Sequence, residues 1–137
     1  MTQPISSLAL LLQHMTPVLN AGEYVFATVD SAVQLDLRQV IACMREPEGL
    51  SVVLEVAGAE RLGFATDVRF AWITLLVHSD LQAVGLTAAF ASALGREGIS
   101  CNVVAGHLHD HIFVPSGQAE AAMAALRALQ QGAQAAR

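Results

Sequence analysis

The stretch AGHLHDHIFVP, residues 105–115, places three of the chain's five histidines and an aspartate within five positions. These residues are His107, His109, Asp110 and His111, and imidazole and carboxylate groups are common ligands of zinc and other transition metals. On a continuous strand the three histidines would point to one face, because side chains alternate between the faces of a sheet. One hypothesis is therefore a metal-binding protein or a metal-dependent enzyme.

A second interpretation places the same residues in the turn of a β-hairpin. Residues 100–106 and 111–114 are rich in β-branched and aromatic side chains, which predicts two strands, and LHD falls where the chain must turn back. In a turn the three rings would diverge, and Asp110 would accept hydrogen bonds from turn amides. His14 and His78 lie far away in sequence. We therefore favour a structural role for the histidines and predict no metal site and no cofactor.

The composition of the chain excludes several classes of function. The 137 residues are 54% hydrophobic and 14% charged, which suits one domain or two small ones that share a core. The net charge is −5 and the basic residues are dispersed arginines, so we expect no nucleic-acid partner. No positive charge precedes the apolar run LALLL, and residues 70–77 are too few to span a bilayer. We expect a cytoplasmic protein with no membrane partner.

Hydrophobic periodicity predicts an α+β protein. Strands are expected where β-branched and aromatic residues cluster, and helices where apolar residues recur at helical spacing. The predicted strands cover residues 23–29, 50–57, 70–78, 100–106 and 111–114. The predicted helices cover residues 8–15, 35–44, 79–97 and 119–129.

The order of these elements contains a weak repeat. A strand, a helix and a strand over residues 23–57 recur over residues 70–106, where a further strand and helix follow. This order gives most of the split βαβ, ferredoxin-like arrangement. The second unit lacks its final strand and the first lacks its second hairpin strand, so the units must complete each other or pair open edges in a dimer. We predict two interleaved units, residues 1–65 and 66–137.

The sequence HSDLQAVGLTAAF, residues 78–90, carries the most informative local pattern. Ser79 and Gln82 fit the S-x-x-Q capping box, which predicts that a helix begins there. Gly85 would then lie inside the helix, where glycine costs about 1 kcal/mol relative to alanine. It would serve either tight helix–strand packing or the close approach of a ligand, whose carboxylate the amides of a helix N-terminus attract.

The segment AVGLTAAFASALGREGISCNVVAGHLHDHIFV resembles the core of an ACT domain, a small regulatory module that binds amino acids. The family pattern is a strand, a Gly-Leu or Gly-Val turn into a helix, a strand of the form I-x-x-N-V/I, and a hairpin that ends in an apolar strand. Gly85 and Leu86 match the turn, residues 99–103 the second strand and residues 111–114 the third. With YVFATV and REPEGL, the chain is similar to stand-alone bacterial proteins described as tandem ACT-like repeats of uncharacterised function.

This resemblance implies a ferredoxin-like (βαββαβ) fold in two ACT-like units, with antiparallel sheets and with helices on one face. It also implies a ligand site where the turn into the helix faces the second strand, at a subunit or repeat interface. In that site, backbone amides near Gly85 could hold a carboxylate, while Asp80 and Asn102 could meet an ammonium or amide group. Carried over by position, the candidate ligand-binding residues are Asp80, Val84, Gly85, Leu86, Asn102 and Val103.

Three functions stay open on the sequence. The one we favour is a non-enzymatic regulatory module of ACT type, without catalytic residues, that binds a small molecule such as an amino acid as a homodimer. The first alternative is the metal-binding protein or metal-dependent enzyme built on the HLHDH stretch. The second is a structural adaptor that binds no ligand and associates through sheet edges or helix faces.

Overall fold

A computed structural model describes residues 3–30 and 35–135 of the chain. Its helices are α1 (Leu8–His14), α2 (Val56–Arg61), α3 (Leu86–Arg96) and α4 (Ala119–Ala135). Its strands are β1 (Thr16–Leu19), β2 (Tyr24–Val29), β3 (Val40–Glu46), β4 (Gly49–Glu55), β5 (Phe70–Leu76), β6 (Asn102–Ala105) and β7 (Asp110–Pro115). Short 3-10 helices cover Leu37–Gln39 and Ser116–Gln118. No helix in the described part of the chain is long and apolar enough to cross a membrane.

The strands form one antiparallel sheet in the order β3-β4-β2-β5-β7-β6. Strand β7 pairs with one side of β5. The other side of β5 is divided, because β1 pairs with residues 73–76 while Tyr24 of β2 lies opposite Phe70. Strand β5 is therefore the centre of the fold, with neighbours from both halves of the chain.

Two ferredoxin-like units share this central strand. The C-terminal unit contains the neighbouring strands β1, β5, β7 and β6, and its missing final strand is supplied by β1 from the N-terminal end of the chain. The N-terminal unit contains β5, β2, β4 and β3, so that β5 is its last strand as well as the first strand of the other unit. The expected interleaving of two ferredoxin-like units is confirmed, and the strand that each unit lacked is accounted for within the chain.

The helix expected over residues 35–44 is wrong, because this segment forms a 3-10 helix and then strand β3. Strand β3 is the hairpin strand that the first unit lacked. Its register against β4 shifts between Val40 and Ala42, and this irregularity breaks the simple alternation that a strand normally shows. The β-branched Val40 and Ile41 favour a strand. The hairpin turns at Pro47 and Glu48, where the sequence pattern predicts the end of a helix.

The four α-helices of the described residues lie on one face of the sheet, as expected. Ile73 and Leu75 of β5 pack there with α1, α3 and α4, and Val25 and Leu54 pack there with Ala59 of α2. The opposite face carries an aromatic cluster whose rings meet mostly edge to face: Tyr24, Phe26, Phe70, Trp72 and Phe113. Residues that lie opposite each other on neighbouring strands share a face, as Tyr24 of β2 does with Phe70 of β5 and Trp72 of β5 with Phe113 of β7. Strands from both units therefore contribute to this cluster.

Candidate functional site

Gly85 ends the loop between β5 and α3 and is the N-cap residue of α3. Its φ of 104° lies in the left-handed region, which glycine adopts at little cost. The capping box expected at Ser79 and Gln82 is therefore wrong, since the helix begins at Leu86. Instead the loop forms a turn in which the Asp80 side chain accepts a hydrogen bond from the Gln82 amide at 2.9 Å.

The first turn of α3 presents backbone amides without helical partners. The carbonyl of Gly85 accepts the hydrogen bond from the Ala89 amide at 2.9 Å, so the amides of residues 86–88 precede the helical ladder. Glycine has no side chain that could cap them. Leu86 is buried in the core and fixes the direction of this turn. The free amides and the helix dipole together favour an anion at this position.

Gly85, Leu86 and Thr87 line a cavity of about 180 Å³ between the Gly85 loop and the β6–β7 hairpin. Asp80 supplies a carboxylate from the loop, and Asp110 supplies a second from the start of β7. The described residues that line the cavity include no arginine, lysine or histidine. They are Ser79, Asp80, Leu81, Ala83, Gly85, Leu86, Thr87, Ala105 and Asp110.

Asp110 is the residue that links the cavity to the sheet. It is half-buried, and it lies opposite Leu75 of β5 on one side and Ala105 of β6 on the other. Burial raises the pKa of the Asp110 carboxyl above its ordinary value of 3.8, and the neighbouring His111 acts in the opposite direction. A cation bound in the cavity would stabilise the charged form of this carboxyl and lower its pKa again.

Three of the candidate ligand-binding residues lie together in this cavity. Asp80, Gly85 and Leu86 come from the loop and the first position of α3. Asp110, which the sequence interpretation placed in a turn, joins them because the β6–β7 hairpin lies beside the C-terminal end of β5. If the register of β7 against β5 had been known, the sequence would have placed Asp110 beside the end of β5.

The other three candidate residues lie outside this cavity. Val84 is 84% exposed and does not line the cavity. The side-chain amide of Asn102 donates to the Phe113 carbonyl at 3.2 Å within the β6–β7 pair. Val103 lines a separate groove of about 410 Å³ between the edges of β3 and β6. The candidate set is thus divided between two concave regions and the surface.

The groove beside Val103 differs in chemistry from the cavity at Gly85. Its described lining contains no charged residue, and its polar side chains are Cys43 and Ser51. The apolar side chains Phe26 and Met44 are 45% and 67% exposed at its rim. Nothing in this groove matches the paired charges of an amino acid.

The histidine stretch forms a hairpin turn, as the second interpretation predicted. The Gly106 amide donates to the His109 carbonyl at 2.9 Å and closes the turn. His109 Nδ1 lies 3.2 Å from the Val77 carbonyl, whereas His111 Nδ1 accepts from Trp72 Nε1 at 3.0 Å. No group of three or more His, Cys, Asp or Glu residues within residues 3–30 and 35–135 could hold a metal ion. The geometry therefore gives the metal hypothesis no support.

His111 is held as a neutral ring on the aromatic face. Its Nδ1 atom also lies 3.1 Å from the Thr74 hydroxyl, so two groups compete to donate to one acceptor nitrogen. Burial lowers the pKa of His111, the nearby His109 lowers it further, and Asp110 acts in the opposite direction. A ring that accepts at Nδ1 carries its proton on Nε2.

Comparison with known proteins identifies the family. Two sequence models of the ACT domain match the chain in tandem, over residues 3–71 and 67–128. A Vibrio cholerae protein of unknown function, described as a possible transport protein, is 52% identical and has a TM-score of 0.79, over 90% of this chain and 95% of that one. No curated protein gives a significant match.

More distant structures share the fold alone. An Agrobacterium tumefaciens protein is 17% identical, with a TM-score of 0.61 over 85% of this chain and 90% of that one. The aspartate kinase of Clostridium acetobutylicum, described as an allosteric enzyme, is 12% identical, with a TM-score of 0.55 over 79% of this chain and 33% of the kinase. With two matching domain models that together span most of its length, the chain belongs to the ACT-domain family and contains two such domains in tandem.

Proposed function

We propose that this protein is a non-enzymatic regulatory module that binds a free amino acid in the cavity at Gly85. One observation carries the proposal: the first residues of a helix without a side-chain cap and two aspartates line the same small cavity. An amino acid has one group for each, because its carboxylate suits the amides and its ammonium suits an aspartate.

The size of the cavity supports a ligand of this class. Its volume of about 180 Å³ is below the range of about 300–1,000 Å³ that is usual for drug-sized ligands. A single amino acid suits this space better than a nucleotide or a peptide does.

The charges of the lining select among amino acids. Two aspartates without a basic residue in the lining would repel an acidic side chain at short range. They tolerate a neutral side chain and attract a basic one. We expect aspartate and glutamate to be the weakest ligands among the common amino acids.

The test is a thermal-shift panel of the twenty common amino acids at millimolar concentration. A ligand at one hundred times its Kd should stabilise the native state by about 2.7 kcal/mol, because it binds the folded chain and not the unfolded one. We expect at least one neutral or basic amino acid to raise the melting temperature. If none of the twenty raises it, the proposal is contradicted and the structural adaptor becomes the better account.

We further propose that the protein acts as a cytoplasmic homodimer, with the domain boundary near residue 65. The dimer is supported by exposed apolar side chains beside the cavity, since Leu81 is 66% and Leu108 is 41% exposed. Sedimentation equilibrium tests this part separately, and a monomer at micromolar concentration would contradict it.

A further inference from the structure

The loop that forms the cavity is bound by a segment near the N-terminal end of the chain. We name residues 3–7 the N-terminal strap. The Ile5 amide donates to the His78 carbonyl at 2.7 Å, and the Asp80 amide donates to the Ile5 carbonyl at 2.9 Å. These two bonds form an isolated parallel bridge between Ile5 and Ser79. The backbone on both sides of Ser79 is therefore fixed by one distant residue.

The strap continues into a contact with Gly85 itself. Leu8 is the first residue of α1, and a Cβ atom added to Gly85 would lie 2.9 Å from its Cδ2 atom. This distance is too short for carbon atoms, so the leucine side chain lies directly against the glycine backbone. The Leu11 amide donates a hydrogen bond to the Ser7 carbonyl at 2.9 Å. This bond joins the strap to α1, the helix that carries Leu8.

The other contacts of the loop include Ala83, which packs against the core, and the His109 ring, whose Nδ1 atom lies 3.2 Å from the Val77 carbonyl. The loop's internal hydrogen bonds are short in range, such as the Ala83 amide to the Asp80 carbonyl at 2.9 Å. Two of its apolar side chains give little burial, since Leu81 and Val84 are 66% and 84% exposed. A backbone with local bonds and little buried apolar surface opens at low free-energy cost. The two hydrogen bonds with Ile5 therefore supply a large part of the restraint on the position of Asp80.

We propose that Ile5 and Leu8 are positioning residues, which hold the Gly85 loop in the conformation that forms the ligand cavity. The proposal rests on the proposed function for its effect on binding, and it adds that the N-terminal strap sets the affinity. Ile5 fixes the backbone of Asp80, which offers a carboxylate, and Leu8 fixes Gly85, which directs the amides of α3. Any event that displaces the strap would then weaken ligand binding without touching a ligand contact.

The test uses two variants and a matched control. Ile5→Pro removes the amide that donates to His78 and keeps the extended backbone that proline tolerates. Leu8→Ala removes the contact with Gly85. Leu10→Ala is the control, because Leu8 and Leu10 are both exposed leucines of α1, at 37% and 46%. The melting temperature of each variant shows that it is folded.

Two measurements report separately on the conformation of the loop and on the affinity for amino acids. The first is amide hydrogen exchange of Asp80 and Ala83 without any ligand, which we expect to accelerate about tenfold or more in Ile5→Pro and Leu8→Ala. The second is titration with each of the twenty common amino acids, where we expect about tenfold weaker binding in these two variants. Leu10→Ala should match the wild type in both.

Each outcome decides a different claim. Unchanged exchange in both variants would overturn the proposal, as would faster exchange with unchanged affinity. If the wild type binds none of the twenty amino acids, the proposed function fails, and exchange alone then tests whether the strap holds the loop. Faster exchange in Ile5→Pro and Leu8→Ala, with wild-type exchange in Leu10→Ala, would still support the positioning role.

Discussion

The two ACT units of this chain differ most in their helices. The C-terminal unit covers its strands with α3 and α4, which have 11 and 17 residues. In the described part of the N-terminal unit, the strands β2, β3 and β4 are joined to α2, of six residues, and to a 3-10 helix of three, while the seven-residue α1 packs with α3 and α4 in the core of the other unit. Both units keep the same strand order around β5. The two units therefore share the arrangement of their strands, while among the described residues a long helix follows the first strand in the C-terminal unit alone.

This difference explains where the cavity lies. A helix of several turns gathers unpaired amides and a dipole at its N-terminus, and α3 places them beside the C-terminal end of β5. The corresponding connection after β2 reaches β3 through the 3-10 helix Leu37–Gln39. The described residues there include no α-helix that could create the same field. The cavity therefore lies where a long helix begins, and the other unit shows no equivalent of it among its described residues.

The largest effect on the free energy of unfolding is expected from replacing a buried leucine in the core of either unit. Leu94 of α3 is completely buried in the larger core, and Leu54 of β4 is 1% exposed in the smaller one. We expect Leu94→Ala to lower the free energy of unfolding by about 3–5 kcal/mol and Leu54→Ala by about 2–3 kcal/mol, because the six-residue α2 can relax into the space. Denaturant unfolding measures both.

Both variants should still unfold in a single transition. Strand β5 belongs to both units, so neither unit can lose its strands while the other stays intact. A separate transition of Leu54→Ala at low denaturant concentration would contradict the claim that the two units unfold as one cooperative structure.

The next effect compares two glycines with positive φ in the C-terminal unit. Gly85→Ala and Gly98→Ala both strain the backbone, at φ 104° and 69°, but only Gly85 has a neighbour within 4 Å of the added carbon. We expect Gly98→Ala to cost about 1 kcal/mol and Gly85→Ala about 1 kcal/mol more. In a double-mutant cycle, Leu8→Ala should recover part of the extra cost. Equal costs for both glycines would contradict the contact with Leu8.

A smaller effect compares an aspartate of the cavity with one outside it. Because burial raises the pKa of Asp110, its contribution to stability is present at pH values below the unfolded-state value, near 3.8, and is lost as the pH rises through the folded-state value. Asp110→Asn should therefore be as stable as the wild type at pH 7, or more so, and should respond less to amino acids. Asp67→Asn, at an exposed loop position, is the control. An unchanged ligand response in Asp110→Asn would remove Asp110 from the site.

The smallest effect concerns the aromatic face that both units share. Because the pKa of His111 is lowered, its contribution to stability is present above the unfolded-state value, near 6.5, and is lost as the pH falls through the folded-state value. Protonation of Nδ1 also breaks the bond from Trp72, the single tryptophan. Tryptophan fluorescence should titrate below pH 6.5 in the wild type and stay flat over that range in His111→Asn. A flat wild-type profile would contradict the assigned bond.

The sequence predicted the shared architecture better than the differences between the units. Strands with strong β-branched or aromatic patterns, such as β2 and β5, were predicted close to their observed bounds. Strand β3 was predicted as a helix because its irregular register imitates helical spacing, and β1 was missed because Pro17 reads as the end of a helix. The pairings of these strands are long-range, so local patterns alone do not reveal them.

The candidate site divides in the same way. Asp80, Gly85 and Leu86 are close in sequence, so one local pattern with the family resemblance was enough to group them. Asp110 and the strap residue Ile5 reach the loop only through the pairing of β5 with β7 and the bridge to Ser79. Such contacts depend on the register of distant segments, which no spacing rule in a single sequence supplies.

The most direct test of the account is an amide chemical-shift map of the ¹⁵N-labelled full chain, titrated with the amino acid that stabilises it most in the thermal-shift panel. We predict the largest changes at the amides of Leu86, Thr87 and Asp110, with small changes in β3 and β4 of the N-terminal unit. Largest changes along the groove between β3 and β6 would contradict the account, because the ligand would then bind away from the N-terminus of α3.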